Sequence, residues 1–401
     1  MSRRFAGASA TLAVNVGNLL LGVVTGIVSA RGLEPHDRGL FVAIVLWVAT
    51  LSTVSLLGGQ QAIIYFGRQS SSGVGRAVTL VRSSWVEIAL CSAALAAIVL
   101  WLTSAHSSRA ILTLLATAII PISAIVQALL SGLLSDARLS VWNAVRLVPA
   151  ATYAMASLLL LSLEEFSIVT GLVALTVGNA AALVAVLVVV GQRGPLVPDD
   201  ATPVGEMKSY GRRSLMSSLP AMLRGRTDQL VLAAVAAPSV LGVYAVAASV
   251  AAVADVVSVT VGQLAFPRFV EDARLRTKAR RLATTAIALT LIAIIPVAAG
   301  GDWLIRHVYG PAYVPAADPL SILLVAAAVK VGIAFLSAES QALDKLRLLG
   351  LAHSSTLIAT GMLVATLVPV WGMTGAASAV LIGQVACLSV LWLGVRQVSA
   401  R

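Results

Sequence analysis

The sequence predicts an all-α integral membrane protein, with twelve transmembrane helices in two six-helix lobes, arranged as parallel repeats around a central cavity. Three observations predict it. Of 401 residues, 59% are hydrophobic and only 11% are charged, less than half the charge of an ordinary soluble domain. The apolar residues fall in runs of about 20, the length that carries a helix across the hydrocarbon core. The two halves also match each other at a nearly constant offset of 203 residues.

The composition excludes other classes. A disordered chain needs low hydrophobicity. A soluble nucleic-acid binder could carry the formal charge of +11, but not on so few charged residues. A membrane β-barrel would show alternation of period two, which these Ala-, Val- and Leu-rich runs lack. Cys91 and Cys387 lie far apart inside apolar runs, without a CxxC pattern, and read as small buried hydrophobes. His36, His106, His307 and His353 are scattered, so metal-ligand spacing is absent. There is no GxxxxGK(S/T), HExxH or GxSxG. The sequence calls for no cofactor or metal and does not read as an enzyme.

The predicted spans follow in order. The first, near 9–30, is preceded by Ser2-Arg3-Arg4 and contains Val28-Ser29-Ala30, which mimics a signal-peptide cleavage site. Its apolar run is too long for a signal core, so it reads as an uncleaved helix. It carries Thr11, Asn15, Asn18, Gly22, Thr25 and Ser29 at steps of 4, 3, 4, 3 and 4, one helical face. Such a face either packs against another helix or lines a cavity. The second span, 40–58, ends in Ser52, Thr53, Ser55, Gly58, Gly59, Gln60 and Gln61. The third, 80–103, bears Glu87 near Arg82, which reads as a boundary ion pair. The fourth to sixth, near 110–134, 144–163 and 168–190, are apolar runs. The stretch 191–213 contains Pro195, Pro198, Pro203, Asp199 and Asp200 and reads as a flexible cytoplasmic linker between lobes at 1–190 and 214–401.

The second half continues with spans near 213–237, 239–266, 280–300, 316–338, 348–368 and 373–395. Shifting the chain by 203 places Gly39-Leu40-Phe41 on Gly242-Val243-Tyr244, and Gly59-Gln60-Gln61-Ala62 on Gly262-Gln263-Leu264-Ala265. Gly22 falls on Gly225, and Phe66 on Phe269. Six spans per half is even, so both halves enter the membrane the same way up, a recurring transporter plan. Lys and Arg between the spans divide 21 to 4. That bias puts both termini in the cytoplasm. The excess of basic residues is therefore largely topological, facing anionic headgroups.

A charge inside the bilayer costs at least about 2.5–3.5 kcal/mol, so each needs a partner or water. Span seven holds Arg224, Arg226 and Asp228. Arg224 and Asp228 are four apart and share a face, whereas Arg226 is turned about 200° from both on a regular helix. Unwinding at Gly225 would let all three reach one cavity. Lys330 is mid-span in span ten, with no acid in helical reach; it either lines the central cavity or pairs with Asp255 of span eight. Asp228 and Asp255 are the mid-span groups able to couple transport to protons or sodium.

Several stretches resemble one family. Ala30-Arg31-Gly32-Leu33-Glu34-Pro35-His36-Asp37-Arg38-Gly39-Leu40-Phe41 is similar to the connection after the first helix of bacterial polysaccharide flippases, the Wzx-type branch of the multidrug/oligosaccharidyl-lipid/polysaccharide exporter superfamily. Thr227-Asp228-Gln229-Leu230, then Leu241-Gly242-Val243-Tyr244-Ala245, resemble its spans seven and eight. Phe266-Pro267-Arg268 and Gly372-Met373-Thr374-Gly375-Ala376-Ala377 resemble two further motifs. The resemblance implies two six-helix lobes that turn a polyprenyl-diphosphate-linked oligosaccharide from the cytoplasmic to the outer leaflet by alternating access. It makes Arg224, Arg226 and Lys330 the cations for the diphosphate, and Asn15, Asn18 and Asp228 contacts for sugar or ion. Pathway polymerase and glycosyltransferases would be partners. Some relatives carry basic residues in their first helix, and here it has none in its core. The peptidoglycan-precursor branch adds two helices for which this chain has no room. A multidrug or metabolite antiporter of the same superfamily is the alternative, and a glycan polymerase or glycosyltransferase is more remote.

Overall fold

A bilayer offers backbone groups no hydrogen-bonding solvent, so a spanning chain must close its hydrogen bonds within helices or a closed barrel. The computed structural model describes residues 2–68, 72–192 and 203–396, and no strand occurs among them. The linker residues Pro195, Pro198, Asp199 and Asp200 lie outside the described residues. The helices are α1 (Ser2–Gly32), α2 (Pro35–Val54), α3 (Gly59–Gly67), α4 (Gly73–Ser83), α5 (Trp85–Leu102), α6 (Arg109–Ser135), α7 (Leu139–Ser162) and α8 (Ile168–Gly191). They continue with α9 (Val204–Arg224), α10 (Thr227–Val235), α11 (Pro238–Glu271), α12 (Ala273–Thr277), α13 (Ala279–Ala299) and α14 (Gly301–Val308). A 3-10 turn (Pro311–Ala316) leads into α15 (Ala317–Ala342) and α16 (Leu346–Arg396).

Among the described residues, ten helical segments are long and apolar enough to cross a membrane. The last, Leu346–Gly394, covers predicted spans eleven and twelve. It is broken at Gly372, whose φ of 56° and ψ of −131° are open to glycine and strained for other residues. Predicted span seven is not among the ten; it falls on α9 and α10, which are separated by a turn at Gly225 and Arg226. Predicted span three also differs, because its first residues belong to α4 and the chain turns at Ser84 before α5. Repeat-equivalent elements keep their offset: α2 begins at Pro35 and α11 at Pro238, 203 residues later.

The chain divides into two compact units, Met1–Leu33 with Leu40–Ser218, and Glu34–Gly39 with Leu219–Arg401. In the first unit a continuous core runs through Ile44, Ile63, Leu80, Leu95, Leu112, Ile120, Leu133 and Leu172. The polar face of α1 lies on α7: Asn143 donates to Thr11 Oγ1 at 3.1 Å and Arg146 to Asn15 Oδ1 at 3.2 Å. The first part of α9 is held in this unit too. Lys208 donates to Glu87 Oε1 at 2.7 Å and to the Ser83 carbonyl at 2.6 Å, and Tyr210 stacks on Tyr65 with centroids 4.6 Å apart. Glu87 therefore pairs with Lys208, not with Arg82 as the sequence suggested, because the turn at Ser84 separates the two on different helices.

In the second unit α15 is central, packed against α11, α13 and α16. Glu34–Gly39, which includes the first residues of α2, sits against the start of α11 so closely that backbones touch. A Cβ on Gly39 would lie 1.7 Å from the Pro238 oxygen, and one on Gly242 2.0 Å from the Pro35 oxygen. Arg38 is only 1% exposed. Its Nη1 donates to the Gly242 carbonyl at 2.9 Å, and the guanidinium stands 5.1 Å from the centre of the Tyr313 ring. Burial pushes the nearby Tyr309 phenol above its usual pKa, against the opposing pull of the Arg38 charge.

Candidate functional site

The polar residues of the second unit converge because a helix is interrupted. On an unbroken helix Arg224 and Asp228 would share a face. The chain instead leaves helical geometry at Gly225 and Arg226, where Arg226 has φ −137° and ψ 2°. The interruption re-aims the two side chains. Asp228 is buried and accepts a hydrogen bond from the Tyr244 hydroxyl at 2.5 Å. Arg224 turns the other way, with Nη1 3.9 Å from Cys387 Sγ, which is itself 3.8 Å from Nδ1 of His353. The pairing of Arg224 with Asp228 that the spacing allowed is not formed.

Arg224 borders a cavity of about 460 Å³ that lies wholly within the second unit. Lys330, from the middle of the 26-residue α15, lines it as well. Ser258, Gln263, Ser337, Gln341 and His353 supply hydrogen-bonding groups, and Val259, Phe266 and Ile333 supply apolar wall. Lys330 Nζ is 2.7 Å from Asp255 Oδ2, the partner the sequence offered. Neither side chain is sealed off, at 27% and 32% exposure. Arg224, a Lys330 paired with Asp255 and several neutral hydrogen-bonding groups around a half-apolar pocket have the chemistry that suits an anionic group carrying hydroxyls.

The remaining sequence candidates lie elsewhere. Arg226 is exposed, and neither it nor Asp228 lines this cavity. Asn15 and Asn18 are half-buried on α1 in the first unit, with Asn15 engaged by Arg146. Sequence reasoning missed Arg146, Gln263, Gln341 and His353. Arg146 lies near the start of predicted span five, where a basic residue reads as part of the loop charge. Gln263 had one available signal, its repeat equivalence to Gln60. Gln60 donates to Gln127 in the first unit, whereas Gln263 faces the cavity. Among the described residues, no group of three or more His, Cys, Asp and Glu side chains could hold a metal ion.

Comparison with known proteins bears on the fold and family. The structure of the lipid II flippase MurJ in an inward closed conformation superposes with a TM-score of 0.79 at 11% identity, covering 96% of this chain and 87% of that one. An inward-facing multidrug resistance MATE family transporter of the MOP superfamily gives 0.72 at 14% identity, covering 96% and 95%. A MOP superfamily transporter from Pyrococcus furiosus, whose binding pocket of reverse polarity suggests a different function for it, gives 0.59 at 14%, covering 98% and 94%. At such identities the likeness establishes the two-lobe transporter fold. No curated protein sequence matches the chain. The model of a family described as polysaccharide biosynthesis protein matches residues 28–318, well over half of the chain. The all-helical membrane fold, the Wzx-type motifs and this match agree, and the chain belongs to the polysaccharide biosynthesis protein family.

Proposed function

We propose that the protein moves a polyprenyl-diphosphate-linked oligosaccharide from the cytoplasmic to the outer leaflet of the bacterial inner membrane by alternating access. The observation that carries the reading is the cavity bordered by Arg224 and Lys330. A diphosphate is the part of such a lipid that cations recognise, and Lys and Arg hold it strongly where water is scarce. Gln263, Gln341, Ser258 and Ser337 then offer donors and acceptors to sugar hydroxyls. The polyprenyl tail stays in the bilayer while the head crosses. Arg226 and Asp228 of the second unit, and Asn15 and Asn18 of the first, are further candidates for sugar or ion contacts, and Asp228 and Asp255 are the groups through which protons or sodium would couple. The family and the fold both support a carrier of lipid-linked glycan.

The competing reading, a multidrug antiporter, draws on the MATE likeness. Pocket charge favours the first reading: Arg224, whose neighbour is the Cys387 thiol, attracts an anion and repels an organic cation, while Lys330 is paired with Asp255. The test is complementation in a bacterium depleted of its own flippase. Arg224→Ala and Lys330→Ala, at normal protein levels, are expected to cut glycan export by roughly tenfold or more each, since a charge-assisted contact is worth about 1.5–3 kcal/mol. Intact export in both variants would remove the diphosphate role from this cavity.

A further inference from the structure

The Lys330–Asp255 pair is built unevenly. Asp255 Oδ2 meets the ammonium at 2.7 Å, but Oδ1 is buried and has no hydrogen-bond partner among the described residues. A partly buried ion pair recovers less of its desolvation cost when one carboxylate oxygen is shut off from both water and a donor. This one leaves half of its carboxylate unserved, so it is a weak resting arrangement. Arg224, on the same cavity, has no carboxylate partner among the described residues; its neighbour is the Cys387 thiol. The cavity thus presents one cation already held by an internal anion and one that is not.

Resting on the diphosphate reading of this cavity, we propose that Asp255 is an internal counter-anion that competes with the substrate diphosphate for Lys330. Arg224 takes the incoming diphosphate first. Lys330 then exchanges Asp255 for phosphate oxygens, and the displaced carboxylate stands close to a like charge. That repulsion limits how tightly the head is held. When Asp255 recovers Lys330 the diphosphate leaves. Two uncompensated cations in a cavity of low dielectric would grip a diphosphate and release it slowly, whereas a carrier must bind and let go. Asp255 therefore sets the balance between affinity and turnover.

The experiment uses the full-length protein in lipid nanodiscs with inorganic diphosphate as probe. Asp255→Asn keeps the shape and removes the charge. It is expected to bind diphosphate about tenfold tighter or more, the scale of one like-charge interaction inside a protein, while glycan export falls. Lys330→Ala is expected to weaken binding. Unchanged or weaker binding by Asp255→Asn overturns the counter-anion role. If the wild type binds and Arg224→Ala weakens it, that result leaves the diphosphate site standing. If the wild type does not bind diphosphate, both readings fall. A measurement on the wild type covers the case in which the variant fails to fold. Carbodiimide labelling of Asp255, located by mass spectrometry, should rise when diphosphate is added, and unchanged labelling overturns the proposal.

Discussion

A methyl group at Gly39 would have to occupy the place of a backbone carbonyl. The Pro238 oxygen stands 1.7 Å from where that carbon would go, and a backbone oxygen cannot swing aside as a side chain can. Gly39→Val is therefore expected to destabilise the protein by about 3 kcal/mol. Gly242→Val, which meets the Pro35 oxygen, should do the same. Thermal unfolding in detergent checks both, and a melting temperature within a degree of wild type would contradict the contact. Both glycines were visible in the sequence as repeat partners, but spacing could not show that one lies against the turn that carries the other. The legibility of single residues varied in the same way. The Lys330–Asp255 pair could be read as an option because both sit mid-span and each lacks a partner on its own helix. Unwinding at Gly225 was legible as an option, but not its result: the break turns Asp228 to Tyr244 and away from the cavity that Arg224 borders. Arg146 near the start of predicted span five looks like a loop charge, but α7 begins earlier, at Leu139, which makes Arg146 a helix residue facing Asn15.

Breaks decide what the helices can do. The 51 residues of α16 are two helices that meet at Gly372, which takes a backbone conformation that side chains resist. Gly372→Ala is expected to cost about 1–3 kcal/mol, read as a lower unfolding temperature. Gly350→Ala, in the same helix with open space around it, serves as control and should be neutral or stabilising by up to about 1 kcal/mol. Equal losses in the two variants would refute the role given to Gly372. Span positions were legible from hydropathy, and the gap between spans eleven and twelve fell at Gly372. The turn at Ser84 had one signal, the polar Arg82-Ser83-Ser84 between Val81 and Trp85, but three polar residues do not by themselves end a helix.

Across the whole chain the basic residues are an address more than a binding surface. The 21-to-4 division predicts cytoplasmic termini. Alkaline phosphatase fused after residue 396 is expected to be inactive, and the same enzyme inserted after Ala105, in a predicted outer loop, active. The reverse pattern would overturn the orientation and, with it, the direction of transport proposed above.

Duplicated sequences often keep two drafts of one idea, and Gln60 and Gln263 show how the drafts diverge. The first copy is tied to Gln127 within the framework; its counterpart, 203 positions on, is left facing an open pocket. A lineage that changes its cargo can then rewrite the later draft without disturbing the earlier one. Adaptation to a new glycan should accumulate around Gln263, Gln341 and His353, while the neighbourhood of Gln60 stays as it is.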